Sequence, residues 1–185
     1  MFKKILSQID LYYGKVKMPK GYEIDRAILK EEIIHSALIS DSRKSQSKLD
    51  INFYDYKIKD TTVLTPLHVY LKDFIQLKFK IKLILKDFWG NITYPQEQTL
   101  NRNTVDANNL NNSADYTLIY GVDVYDETSK IVIEYDDNRR KTRSWHIPIK
   151  DNDFVMFPST QKYYISQNNS NKLNTYLTLT FEYIG

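Results

Sequence analysis

The stretch Asp151-Asn-Asp-Phe-Val-Met-Phe-Pro-Ser159 places an apolar run between two turn signals. Asp and Asn favour turns through their short polar side chains, and Pro cannot continue a central hydrogen-bond ladder. Phe and Val between them suit a pleated, half-buried surface. We read Asp153–Phe157 as a β-strand. The same punctuation recurs on both sides. Tyr116–Tyr125, Lys130–Tyr135, Arg143–Ile149, Lys162–Gln167 and Thr175–Ile184 all read as strands separated by short polar turns. Short, regularly spaced strands point to an antiparallel sandwich or jelly roll.

Upstream the period changes. Leu77, Phe79, Ile81, Leu83 and Leu85 alternate with Lys78, Lys80, Lys82 and Lys86, which predicts a strand with one wet face. Before it, Leu67, Tyr70, Leu71 and Phe74 recur at helical spacing. Thr65-Pro66 offers a cap and a first-turn proline, so a helix is predicted from Thr65. A further helix over Ile24–Ser40 would bury Ile24, Ala27, Ile28, Ile34 and Leu38 and leave Arg26, Lys30 and Glu31 outside. Asp41–Ser47 and the Asn-rich Asn101–Asp115 read as loops, and Ile51–Lys59 as a strand. One domain, 1–185, is expected, with a helix-rich part over 1–76 and an antiparallel β core over 77–185.

Composition narrows the chemistry. The chain has 185 residues, enough for one core, and is 42% hydrophobic and 26% charged, as ordinary globular domains are. Cysteine is absent, which excludes disulfides, zinc–thiolate sites, iron–sulfur clusters and cysteine nucleophiles. With only five glycines, no phosphate-cradling loop or dinucleotide fingerprint exists, and no serine sits in a nucleophile elbow. A formal charge of +3 makes no case for nucleic-acid binding. No apolar run approaches the roughly 20 residues that span a bilayer, and Ser7, Gln8 and Asp10 interrupt any signal-peptide core, so neither a membrane nor export is expected. Plentiful Ile, Lys, Asn and Tyr correspond to AT-rich codons, as in many phage genomes.

The second half resembles a known family. Ile119-Tyr-Gly-Val-Asp-Val124 with Lys130-Ile-Val-Ile-Glu134 looks like one strand pair of the phage and marine-bacterial Fe(II)/2-oxoglutarate oxygenases. Asp151–Ser159 is similar to that family's strand and turn before its distal iron ligand. Asn168-Asn-Ser170 through Leu177-Thr-Leu-Thr-Phe181 is similar to its closing strand, and Phe88-Trp-Gly-Asn91 to the stretch before its first ligands. The resemblance covers about residues 80–185. It implies a double-stranded β-helix, a jelly roll with helices packed on one side.

The family holds iron with two histidines and a carboxylate, and grips its co-substrate with an arginine. Carried over position by position, the resemblance puts Thr99 and Asn101 at the first ligand pair, Tyr163 at the distal histidine and Tyr176 at the arginine. Neutral groups at all four sites imply that iron and 2-oxoglutarate are not held. No cofactor, no metal and no catalytic residue are therefore expected.

The remaining candidates read as ordinary surface or core. His35 follows Glu32 on a helix face without the second Glu-x-x-His that a di-iron bundle needs. His68 lies off the apolar stripe and is expected to be exposed. Trp145 and His146 should alternate, one buried and one exposed. The cations of Asn138-Arg-Arg-Lys-Thr-Arg143 are offset by Glu134, Asp136 and Asp137, so this hairpin reads as solvated or as a subunit contact. Aromatic and arginine side chains anchor interfaces. This makes Arg139, Arg140, Arg143 and Trp145 the candidate contact residues, with the helical third and the Asn101–Asp115 loop beside them.

The reading is a structural or interaction protein: a phage virion component of decoration, neck or tail-associated type. Its partners would be other virion proteins or copies of itself in an oligomeric assembly, found in the virion and in the host cytoplasm during assembly. An active Fe(II)/2-oxoglutarate oxygenase is the alternative. A carbohydrate-binding β-sandwich that stacks sugars on tyrosines is the third.

Overall fold

A computed structural model describes residues 9–18, 24–44, 55–59, 62–105, 109–135 and 143–184, the side chains of residues 40–44 excepted. In chain order the elements are β1 (Tyr12–Lys15), α1 (Arg26–Lys44), α2 (Thr65–Phe79), β2 (Leu83–Thr93), β3 (Tyr116–Asp123), β4 (Lys130–Tyr135), β5 (Arg143–Pro148), β6 (Asp153–Pro158), β7 (Lys162–Ile165) and β8 (Asn174–Tyr183). All strand pairs are antiparallel. One sheet runs β1-β6-β3-β8-β2 and the other β5-β4-β7. The 99–102 segment extends the second sheet beyond β7. The Thr99 N–H donates to the Ile165 carbonyl, and Arg102 and Tyr163 exchange both backbone bonds. Each sheet thus gains its strands from alternate parts of the chain, which is jelly-roll winding.

The five-stranded sheet separates two cores, because successive side chains leave a strand on opposite faces. On one face Leu118, Tyr120, Phe154, Met156, Leu177, Leu179 and Phe181 pack against the helices, which bury Leu29, Ile33, Leu67, Leu71 and Ile75. On the other face Ile119, Val155, Phe157 and Tyr176 meet Ile131, Ile133, Ile147, Tyr163 and Ile165 from the smaller sheet. Gly90 on β2 lets α1 lie close: a Cβ there would stand 2.7 Å from both γ carbons of Ile33. Arg26 and Lys30 hold α1 over the strand ends through Asp151 (2.8 Å) and Asp123 (2.5 Å).

The strands from Lys130 onward match the sequence reading closely, and the helices correct it. The buried stripe of α1 is Leu29, Ile33 and Ala37, while Ala27, Ile28 and Leu38 are exposed. A cation predicted to be outside, Arg26, instead anchors the helix at the ends of β3 and β6. Helix α1 also continues to Lys44, through residues read as a loop. Leu64, not Thr65, occupies the N-cap of α2 and makes no side-chain capping bond; Pro66 is in the first turn as predicted. The predicted strand from Leu77 is wrong at its start. α2 runs to Phe79, Lys80 turns left-handed with φ 61°, and β2 starts only at Leu83. β1 was not foreseen. The expected strand over Ile51–Lys59 falls partly outside the described residues, and its described part makes a single bridge, Tyr56 to Gly90. Among the described residues no helix is long and apolar enough to cross a membrane.

Candidate functional site

At one end of the interior between the sheets, polar side chains from five segments close a ring. Arg102, on the strand beside β7, donates from both terminal nitrogens to the two carboxylate oxygens of Asp55, at 2.5 Å each. Asn91 of β2 donates its amide to Asp55 Oδ1 at 2.8 Å. Thr178 of β8 donates its hydroxyl to Asn91 Oδ1 at 2.6 Å. The buried Tyr163 hydroxyl of β7 lies beside Arg102 and Thr178. Asp55 enters from the 55–59 segment, which is pinned to β2 by reciprocal 2.9 Å bonds between Tyr56 and Gly90. The Arg102 guanidinium also stands over the Trp89 ring, 5.8 Å from its centre.

Burial sets the electrostatics. For Arg102 desolvation alone would lower the pKa, but the bonds to Asp55 and the neighbouring Tyr163 raise it above its ordinary value. The Tyr163 phenol is pushed up by burial, against the pull of Arg102. Both groups therefore keep their protons.

Next to this ring, Thr104, Thr117 and Ser159 form a chain of hydroxyls at 2.5 Å and 2.9 Å. Farther along the interior, Tyr176 is fully buried and shares a 2.6 Å bond with Ser129. Burial raises its pKa to about 12, against the opposing hydrogen bonds.

The four positions singled out from the sequence do not form one cluster. Thr99 is buried, and its hydroxyl accepts the Ile165 N–H at 2.7 Å. Asn101 points outward and donates to Glu134 at 2.8 Å. Tyr163 packs on Phe157, ring centres 5.1 Å apart, within the Arg102 ring. Tyr176 belongs to the separate Ser129 group. Asp55, Asn91, Arg102 and Thr178 were missed. The available signal was a lone arginine in an otherwise neutral stretch, Gln98–Asn103, and it lies one residue beyond the position assigned to a ligand.

Of the interface candidates, Arg139 and Arg140 lie outside the described residues. Arg143 and Trp145 are exposed on β5, the edge strand, where the Trp145 ring lies tilted beside Tyr135, ring centres 6.4 Å apart. Trp145 and His146 are both exposed, contrary to the alternation argument, because β5 reaches the core only at Ile147 and its Arg143–His146 part lies outside it. His35 is exposed and His68 is half-buried, its pKa lowered by desolvation and Lys72.

The five-stranded sheet facing a smaller sheet of interleaved strands, with helices on one side only, decides the architecture. The fold is the double-stranded β-helix. Solved structures of Fe(II)/2-oxoglutarate oxygenases share it. The viral collagen prolyl hydroxylase of Paramecium bursaria Chlorella virus-1 is 12% identical and aligns over 94% of this chain and 97% of its own, with a TM-score of 0.59. The α-ketoglutarate-dependent carbocyclase SnoK of nogalamycin biosynthesis is 8% identical over 92% and 78%, with a TM-score of 0.59. A Pseudomonas putida prolyl-4-hydroxylase is 10% identical over 95% and 93%, with a TM-score of 0.52. No protein-family model matches the sequence, and a search of curated proteins returns no match. At these identities the likeness is one of fold.

That fold raises the question of iron. A facial ferrous site wants two imidazoles and a carboxylate around open positions. Among the described residues, the cation in the interior is a guanidinium, the carboxylate beside it has both oxygens engaged, and the neighbours are a phenol, hydroxyls and an amide. Among the described residues no three His, Cys, Asp or Glu side chains converge. These residues do not fit ferrous iron.

Proposed function

We propose that this chain acts by binding, as a non-catalytic interaction protein on an oxygenase-type jelly roll, and that it serves as a phage virion component. The observation that carries the first part is the Arg102–Asp55 pair. A fixed positive charge fills the end of the interior where a metal would need negative or imidazole donors, and it would repel a divalent cation from the Asp55 carboxylate. Tyr163 and Tyr176 support the same reading, because neutral phenols held above their ordinary pKa are poor iron ligands. The virion setting draws on the resemblance of Asp151–Ser159 to the phage and marine-bacterial oxygenases and on a composition rich in Ile, Lys, Asn and Tyr, whose codons are AT-rich. In that setting the partners are other virion proteins or copies of this chain, met in the host cytoplasm during assembly. The exposed Arg143 and Trp145 of β5 are contact residues of the kind that anchors interfaces.

Anaerobic loading with ferrous iron, followed by metal analysis and an assay for succinate released from 2-oxoglutarate, tests the first part. Neither stoichiometric iron nor succinate is expected. Succinate release would establish the alternative, an active oxygenase, which rests on the fold alone; stoichiometric iron would overturn the reading of the Arg102–Asp55 pair. Mass spectrometry of purified particles tests the second part, and particles without this protein would end the virion reading.

A further inference from the structure

The ring at the mouth of the interior is rich in donors and poor in acceptors. Arg102 offers a planar fork, Asn91 an amide and Thr178 a hydroxyl, and the carboxylate of Asp55 takes both the fork and the amide. Two more donors lie in the same place. The Tyr163 hydroxyl and the Trp89 indole nitrogen are buried, and among the described residues neither donates its proton to a partner. Burying a donor without a partner costs stability, so such groups mark sites built around an acceptor. A bidentate fork selects a planar acceptor with two oxygens. Asp55 belongs to none of the strands that wall the interior; it is brought in by the 55–59 segment.

We propose that the mouth of this jelly roll is a carboxylate-binding site whose resident ligand is the protein's own Asp55. A small free carboxylate, of formate or acetate size, takes the same place on Arg102 when the Asp55 side chain is removed. Asp55 thus acts as a tethered ligand that neutralises Arg102 and fastens the 55–59 segment across β2. The device holds whether or not the protein turns over a substrate, so iron loading and carboxylate binding fail independently.

Thermal unfolding of full-length Asp55→Ala in sodium formate and sodium acetate, against sodium chloride of equal ionic strength, is the test. The variant should melt below the wild type. At a formate concentration ten times the dissociation constant it should recover about 3–6 °C, saturably. The wild type should not respond, because its site is filled. The Asp55→Ala/Arg102→Gln pair should not respond either, because the fork is gone. No recovery, or an equal rise in chloride, in the wild type or in the double variant, overturns the proposal. Where Asp55→Ala does not accumulate folded, refolding from urea reads the same point. Recovery of folded protein in formate but not in chloride supports the tethered ligand, and recovery in neither overturns it.

Discussion

Tyr176 and Asp126 are two buried groups whose proton affinities tie stability to pH. The Tyr176 phenol has its pKa raised to about 12, chiefly by burial. The folded state therefore holds that proton more tightly than the unfolded chain. Its contribution is complete below the ordinary value near 10 and is lost as pH rises towards 12. Spectrophotometric titration should find one fewer late-ionising tyrosine in Tyr176→Phe. Chemical denaturation should show a loss of about 1–2 kcal/mol, because the Ser129 hydroxyl loses its partner. Asp126 works at the other limb. Desolvation would raise its pKa, but bonds from Asn169 and Thr128 outweigh it and hold the carboxyl below its ordinary 3.8. Its stabilisation is present above that value and fades as pH falls through the lower folded value. Asp126→Asn should flatten the acid limb of stability against pH and cost about 1–3 kcal/mol at neutral pH. At this scale the sequence was only partly legible. Tyr163 and Tyr176 could be placed in the interior by resemblance to a strand pattern. Arg102 could not be paired with Asp55, since nothing local joins residues 47 positions apart.

Period explains which elements were legible and which were not. Strands β4 and β6 show compact apolar runs bounded by turn residues, and their limits came out nearly as read. Leu77–Leu85 misled because alternation by two continues across the end of a helix, where Leu77 is exposed although Ile75, two residues earlier, is buried. The actual boundary is Lys80, in the left-handed region at φ 61° with its N–H donated to the Gln76 carbonyl. A side chain there is strained in a place glycine occupies readily. Lys80→Gly should therefore stabilise the protein by up to about 1 kcal/mol in urea denaturation, unlike most glycine substitutions. Gly90 makes the converse case for α1. Gly90→Ala drives a methyl into Ile33 and should cost about 1–3 kcal/mol. In the Gly90→Ala/Ile33→Ala pair the two costs should add to less than their sum, because each change makes room for the other.

Across the whole molecule, winding was easier to read than chemistry. Antiparallel strands in a sandwich or jelly roll follow from turn spacing and alternation, which report burial, whereas helices on one face were implied only by the family resemblance. The site depends on which distant segments meet at the mouth, and burial patterns do not report that. The same distinction governs how the molecule should answer to metal. A ligand that binds only the folded state stabilises it in proportion to the logarithm of its concentration over its dissociation constant. A site with micromolar affinity, given a hundredfold excess of ferrous iron, adds about 2.7 kcal/mol, or roughly 5–11 °C in melting temperature for a chain of this size. Here the interior cation is Arg102, already joined to the only carboxylate in the ring. Anaerobic scanning calorimetry with ferrous iron and 2-oxoglutarate should accordingly show a melting temperature within about 1 °C of the untreated protein. A rise of the larger size would require an iron site held by residues outside the Arg102 ring. Arg102→His, which supplies an imidazole and removes the repelling charge, should make the melting temperature more responsive to iron than it is in the wild type.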